Sequence, residues 1–273
     1  MMSKIENLLD LNYPPLAIFY SQEAPIEAKE RHPLCSMMLV AEAAKGETVA
    51  MTLGSCRCPG ASHGFGLERL DADNFPGGRD CWYRFLSIGN KDWETGQMAL
   101  EKMKEYGAPK IMLKEFSEGE GFLKTTEMVR EYTENSPEAK PEGPYVVIKP
   151  LNKLSGGEKP KVVAFLADPD QLSALAGIVH YSNQALDSVL IPFGAGCQCL
   201  GIYPFSESER ANPRAVIGLT DISARYYLRK PLGKDFLSFA VPFSLYEEME
   251  ENALESFLTR HAWNTLRKKQ QVN

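Results

Sequence analysis

The sequence predicts an α/β (or α+β) fold built from two related βαβ-like halves, with mixed sheet or sheets, flanking helices and a long C-terminal helix. Three observations predict it. Short apolar, β-branched runs alternate with longer stretches of helical spacing along the chain. Each half holds the succession strand, helix, strand. In both halves the second strand runs into a glycine-flanked C-x-C, "LGSCRCPGA" at 53–61 and "FGAGCQCLG" at 193–201.

Taken in order, residues 2–11 read as a short amphipathic helix and 16–20 ("LAIFY") as a strand following Pro14 and Pro15. Residues 33–45 read as a helix, with Pro33 near its start and Lys45-Gly46 at its end. A strand at 48–53 leads into the first C-x-C. The aromatic run "CWYRFLSIG" (81–89) and "KIMLKEF" (110–116) read as strands, and 94–107 and 119–134 as helices. "NSPEAKPEGP" (135–144), with three prolines, reads as a linker. It separates a first half-module, 1–134, from a second, 145–273. The second restarts with strands at 145–151 and 161–167. A helix over 169–184 follows, capped by Asp168 with Pro169 in its first turn. Strands are expected at 187–193, 214–220 and 235–242. The stretch 244–269, acidic early and basic late, reads as one long helix.

The bulk numbers narrow the function classes. With 273 residues and 44% hydrophobic content the chain can bury a substantial core. A net charge of −6 argues against a protein built mainly to bind nucleic acid or anionic membrane. No run reaches the roughly 18–20 apolar residues of a membrane span. Glu6, Asp10 and the early prolines spoil a signal peptide. A cytoplasmic location is therefore expected, where thiols stay reduced.

That setting gives weight to six cysteines: Cys35, Cys56, Cys58, Cys81, Cys197 and Cys199. In extended backbone a C-x-C aims both sulfurs to one side. Two such pairs supply four thiolates, enough for a four-iron cluster or a tetrahedral zinc. Gly54, Gly60, Gly194, Gly196 and Gly201 let backbone approach a bulky inorganic core. Iron–sulfur is preferred. Zinc knuckles space their ligands C-x₂₋₄-C, and six cysteines exceed what one zinc needs. Cys56, Cys58, Cys197 and Cys199 are the first-choice ligands, and Cys35 and Cys81 the second. Each cysteine also has a plain reading as a small buried hydrophobe. His63, in "PGASHGFG", is a candidate cofactor contact, against the alternative of a capping or surface histidine. Arg57 is read as solvent-facing, and Arg69, Arg79 and Arg225 as surface charges that could form an anion pocket. No P-loop, dinucleotide-binding fingerprint or serine nucleophile elbow is present.

The motifs "PPLAIFY", "CSMMLVAEAAKGETVAM", "CRCPGASHGFGL", "GCQCLGIYP" and "VIGLTDISARYYL…FLSFAVPFSLYEEM" resemble, across nearly the whole chain, domain-of-unknown-function family 169. This is a prokaryotic family of anaerobes and archaea. Where "LTDIS" stands here, the family pattern has a glycine–cysteine step. The resemblance implies a stand-alone cytoplasmic α/β protein with iron–sulfur or redox links and supplies no settled reaction. The expectation is therefore a [4Fe–4S] protein of anaerobic redox metabolism, its cluster held by cysteines from both halves. It would transfer electrons to a partner protein or activate a small substrate, with a homo-oligomer left open. Two alternatives stand beside it: a zinc-stabilised or metal-free module binding a small anion, and a thiol oxidoreductase using the C-x-C pairs.

Overall fold

Ser3 opens the described chain by accepting the Glu6 N–H and so capping α1 (Lys4–Leu9). The computed structural model describes residues 3–270 apart from 29–30, 57, 69–72 and 74. After the two prolines comes β1 (Leu16–Ser21), then α2 (Met37–Ala44), β2 (Val49–Met51) and α3 (Pro59–Gly64). Next are α4 (Arg79–Phe85), α5 (Glu94–Glu105), α6 (Lys110–Glu118) and α7 (Thr126–Glu134). The chain continues through β3 (Tyr145–Pro150), β4 (Val162–Ala167), α8 (Pro169–His180) and β5 (Val189–Leu190). It ends with α9 (Gly196–Leu200), α10 (Ile202–Glu207), β6 (Ala215–Gly218), α11 (Ile222–Leu232), β7 (Leu237–Pro242), α12 (Phe243–Asn252) and α13 (His261–Gln270).

Two compact units result, residues 1–68 with 138–273, and residues 69–137. One crossing between them lies inside the proline-rich stretch 135–144.

The larger unit holds one seven-stranded mixed sheet in the order β2-β3-β1-β4-β7-β6-β5. Only β5 and β6 pair in parallel. Ile18 of β1 stands opposite both Ile148 of β3 and Val162 of β4. Side chains alternate along a strand, so Leu16, Ile18, Val146, Ile148, Val162, Ala164 and Leu166 share one face. Met37, Leu39 and Val40 of α2, Leu200 of α9, Phe205 of α10 and Leu228 of α11 cover it. The other face carries Val163, Phe165, Phe239 and Val241. It is covered by Ile5 and Leu9 of α1, Leu175 and Ile178 of α8, Leu245 and Met249 of α12, and Trp263. Burial on both faces explains why β4 is apolar at every position, "VVAFLA".

Both strand–helix–strand successions occur in this sheet. β1 and β2 run parallel with β3 between them, and β4 and β5 run parallel with β7 and β6 between them. Their crossover helices cover opposite faces: α2 packs on the first and α8 on the second.

The smaller unit is helical among its described residues. Phe75, Cys81, Trp82, Tyr83, Leu86, Phe116 and Val129 form its core. The Asn90 side chain donates to the Cys81 and Phe116 carbonyls at 3.1 Å each, tying α4 to α6.

The stretches 81–89 and 110–116, expected as strands, are α4 and α6. Their aromatic and branched residues suggest strands, but Cys81, Trp82, Phe85 and Leu86 recur at i, i+1, i+4 and i+5, a helical stripe that this core buries. The C-terminal stretch is helical in pieces rather than one rod. Ser256 breaks it by donating to the Ala253 carbonyl and accepting the Leu258 N–H, and a 3₁₀ turn (Phe257–Thr259) separates α12 from α13. No helix among the described residues is long and apolar enough to cross a membrane.

Candidate metal centre

Four segments converge on the first face of the sheet: the chain entering α2, the turn entering α3, α9, and the start of α11. Cys35 lies just before α2 rather than on it, since the helix begins at Met37. Cys56 sits in the turn after β2, and Cys58 is the N-cap residue of α3. Cys197 lies on α9, whose first turn is held by the Gln198 side chain accepting the Ala195 N–H at 2.8 Å.

Direct contacts connect these segments. The Cys56 thiol reaches the Leu34 carbonyl at 3.9 Å. The Cys197 thiol reaches the Gly60 carbonyl at 3.7 Å, across 137 residues of sequence. α3 rides so close over α9 that a side chain at Gly64 would collide with the Cys197 sulfur. A side chain at Gly196 would meet Met37 Sδ and Leu219 Cδ2 at 2.9 Å and Ala224 Cβ at 2.8 Å, which brings α2 and the entry to α11 against α9.

The electrostatics follow from that convergence. Burial pushes the Cys197 thiol well up, and Cys58, Cys35, Asp221 and Cys56 add repulsion against its ionised form. Burial likewise raises Cys35, helped by Cys58, Cys56 and Asp221 and opposed by the Met37 N–H. Cys56 is raised by burial, while the Cys58 and Ser36 N–H groups pull it down. Burial and mutual repulsion thus favour the protonated form of these thiols. Among the described residues no three His, Cys, Asp or Glu side chains are already grouped closely enough to hold a metal ion. The thiols share a neighbourhood but not a closed shell.

Cys199 is aimed elsewhere. In extended backbone the two members of a C-x-C face one way. On α9 they stand two residues apart in a helix, about 200° around its axis. The Cys199 sulfur reaches the Gly194 carbonyl at 3.9 Å and packs where a side chain at Gly218 would lie, beside Ser238. Its thiol is pushed up to about 12, by burial first and then by Asp221. Cys81 is wholly buried in the smaller unit, its sulfur filling the space beside Gly77 and Ala99. Burial raises its thiol to about 11.

The glycines mostly serve close packing of the chain. Gly201 lies where a side chain would collide with the Gly64 carbonyl, and Gly194 where one would meet the Tyr203 ring. Gly60 supplies the carbonyl under Cys197. Gly54 makes a turn at φ 80° with open space where a side chain would stand. His63 is 3% exposed on α3. Burial lowers its pKa against the raising pull of the Glu68 backbone and Glu138. Neither ring nitrogen closes a hydrogen bond of ordinary geometry.

Arg225 donates to the Phe236 and Lys234 carbonyls, and Arg79 pairs with Asp73 at 2.7 Å, so each is engaged locally. Arg57 and Arg69 lie outside the described residues. No sequence motif marks Asp221, which the fold carries to the cysteines. Its only local signal is that of a helix cap after a strand, a role it also fills: Oδ2 accepts the Ala224 N–H at 2.9 Å.

One family model, DUF169 (Uncharacterised ArCR), matches residues 4–252. Neither the curated proteins nor the solved structures yield a match.

Proposed function

The chain belongs to the DUF169 family, and for it we propose an iron–sulfur centre, of the four-iron type, serving electron transfer or small-substrate activation in anaerobic redox metabolism. Its sulfur ligands would be drawn from Cys35, Cys56, Cys58 and Cys197. The observation that carries this reading is the thiol of Cys197 against Gly60, which sets it beside the Cys56–Cys58 turn from a point 137 residues away.

The residues fit such a group in kind. They are soft sulfur donors gathered on one face of a rigid sheet, and backbone N–H groups already point at Cys56. Loading requires the thiols to give up protons and close in, so that metal binding and proton release are one event. A bound cluster supplies one-electron transfer or a Lewis-acid iron. The protein's part is to hold the sulfurs, exclude water and fix the N–H groups that tune the potential. A zinc ion would use the same sulfurs, and metal analysis separates the two readings. Thiol exchange is the weaker alternative. It needs an accessible thiolate of low pKa, whereas burial raises Cys35, Cys56, Cys197 and Cys199.

The test is a serine series prepared anaerobically. Cys35→Ser, Cys58→Ser and Cys197→Ser are expected to lose most bound iron and sulfide, and Cys199→Ser to retain them. Retention of the full complement in Cys197→Ser contradicts the proposal.

A further inference from the structure

Asp221 is half-buried at the head of α11, with its Oδ1 out of solvent. It caps α11 with Oδ2, which takes the Ala224 N–H at 2.9 Å. That role needs one oxygen. The other, Oδ1, is out of solvent and closes no hydrogen bond of ordinary geometry, although the Asp221 and Gly196 N–H groups pull on the carboxylate, so its lone pairs are left largely open to a further partner. No lysine or arginine is among the influences on this carboxylate, which are burial and the N–H groups of Ala224, Asp221 and Gly196. Leu219, wholly buried and two residues earlier, adopts φ 61°, a left-handed conformation that a leucine rarely tolerates. The same segment packs on Gly196, directly before Cys197, through Leu219 and Ala224.

We infer that Asp221 is itself a ligand of the centre, binding metal through Oδ1 while Ala224 N–H fixes Oδ2. The inference rests on the metal-centre reading above and deepens it: the shell is three of the four converging thiols and one carboxylate. An oxygen among sulfurs marks one iron as different. It is the harder, more exchangeable position, the one at which a small oxygen-bearing molecule would displace protein.

The experiment uses the full chain, purified anaerobically as wild type, Asp221→Asn and Asp221→Cys. Iron and sulfide analysis, electron paramagnetic resonance and thermal melting are measured on each. Asparagine caps a helix as well as aspartate, so D221N should melt as wild type does. It should lose about one iron in four and show a three-iron signal after oxidation. D221C should restore the full iron content with a shifted spectrum. Wild-type iron content and spectrum in D221N overturn the assignment and leave the thiol-bound cluster standing. Equal iron loss in D221N and D221C, with native melting, also overturns it. Should D221N melt early, D221C decides: full iron with an altered spectrum supports the ligand role, and an unaltered spectrum ends it. A wild-type protein with neither iron nor sulfide overturns this inference together with the reading beneath it.

Discussion

At Gly201 a side chain has nowhere to go. The space is taken by the Gly64 carbonyl, by Phe65 Cα at 2.8 Å and by the Cys197 carbonyl at 3.0 Å, all backbone that cannot swing aside. Gly201→Ala must therefore pry α3 from α9, and is expected to cost about 1–3 kcal/mol in urea unfolding. An unchanged midpoint would mean that the two helices are not in fact clamped there. Cys81 makes the complementary case. Cys81→Ala leaves a small cavity in the core of the smaller unit and should destabilise by about 1–2 kcal/mol with bound metal unaffected. A drop in metal content would show that Cys81 does more than pack. The cysteines were visible in the sequence, but their directions were not. C-x-C aims both sulfurs together only in extended backbone, and nothing in "GAGCQCLG" announces a helical turn. Asp221 was hidden for another reason, since a lone aspartate before a helix looks like a cap whether or not its second oxygen is used.

The elements that form the sheet were legible because β-branched runs bounded by proline and glycine have few other ways to be buried. In the smaller unit α5 and α7 were legible by their helical spacing, but α4 and α6 were not, because aromatic and branched residues suit both a strand and a helical stripe, and only the core they face decides. β3 adds a feature that patterning does not reveal, a lysine inside the sheet. Lys149 is wholly buried, with Glu158 at 2.9 Å and Glu27 at 3.2 Å. Burial works to raise the Glu158 pKa, but the bonds from Lys149 and Ser155 win and lower it below 4.5. Glu27 is lowered too, by its own backbone N–H first and then by Lys149. Groups with depressed folded values stabilise above the unfolded value and lose that contribution as pH falls through the folded one. Unfolding free energy should therefore drop as acid is added below about pH 4.5. Glu158→Gln should cost about 2 kcal/mol near neutrality and flatten that acid limb. Urea titrations at neutral and acid pH read both effects, and an equally steep limb in the variant would remove the pair from the account.

Across the molecule, one sheet draws its central strands from both ends of the sequence. β1 from the start pairs with β3 and β4 from beyond residue 144. This pairing makes the candidate centre possible, because it carries Cys35, Cys56 and Cys58 to the face where α9 presents Cys197. The repeated strand–helix–strand order suggested that the two cysteine pairs would meet. It did not reveal that the crossover helices α2 and α8 take opposite faces, so that only α2 borders the thiols. The most direct measurement is iron and acid-labile sulfide per chain in protein purified without oxygen. A brown protein with about four of each, both lost in Cys197→Ser, is the predicted result. A colourless protein free of iron and sulfide, with all six thiols open to titration after unfolding, would contradict it.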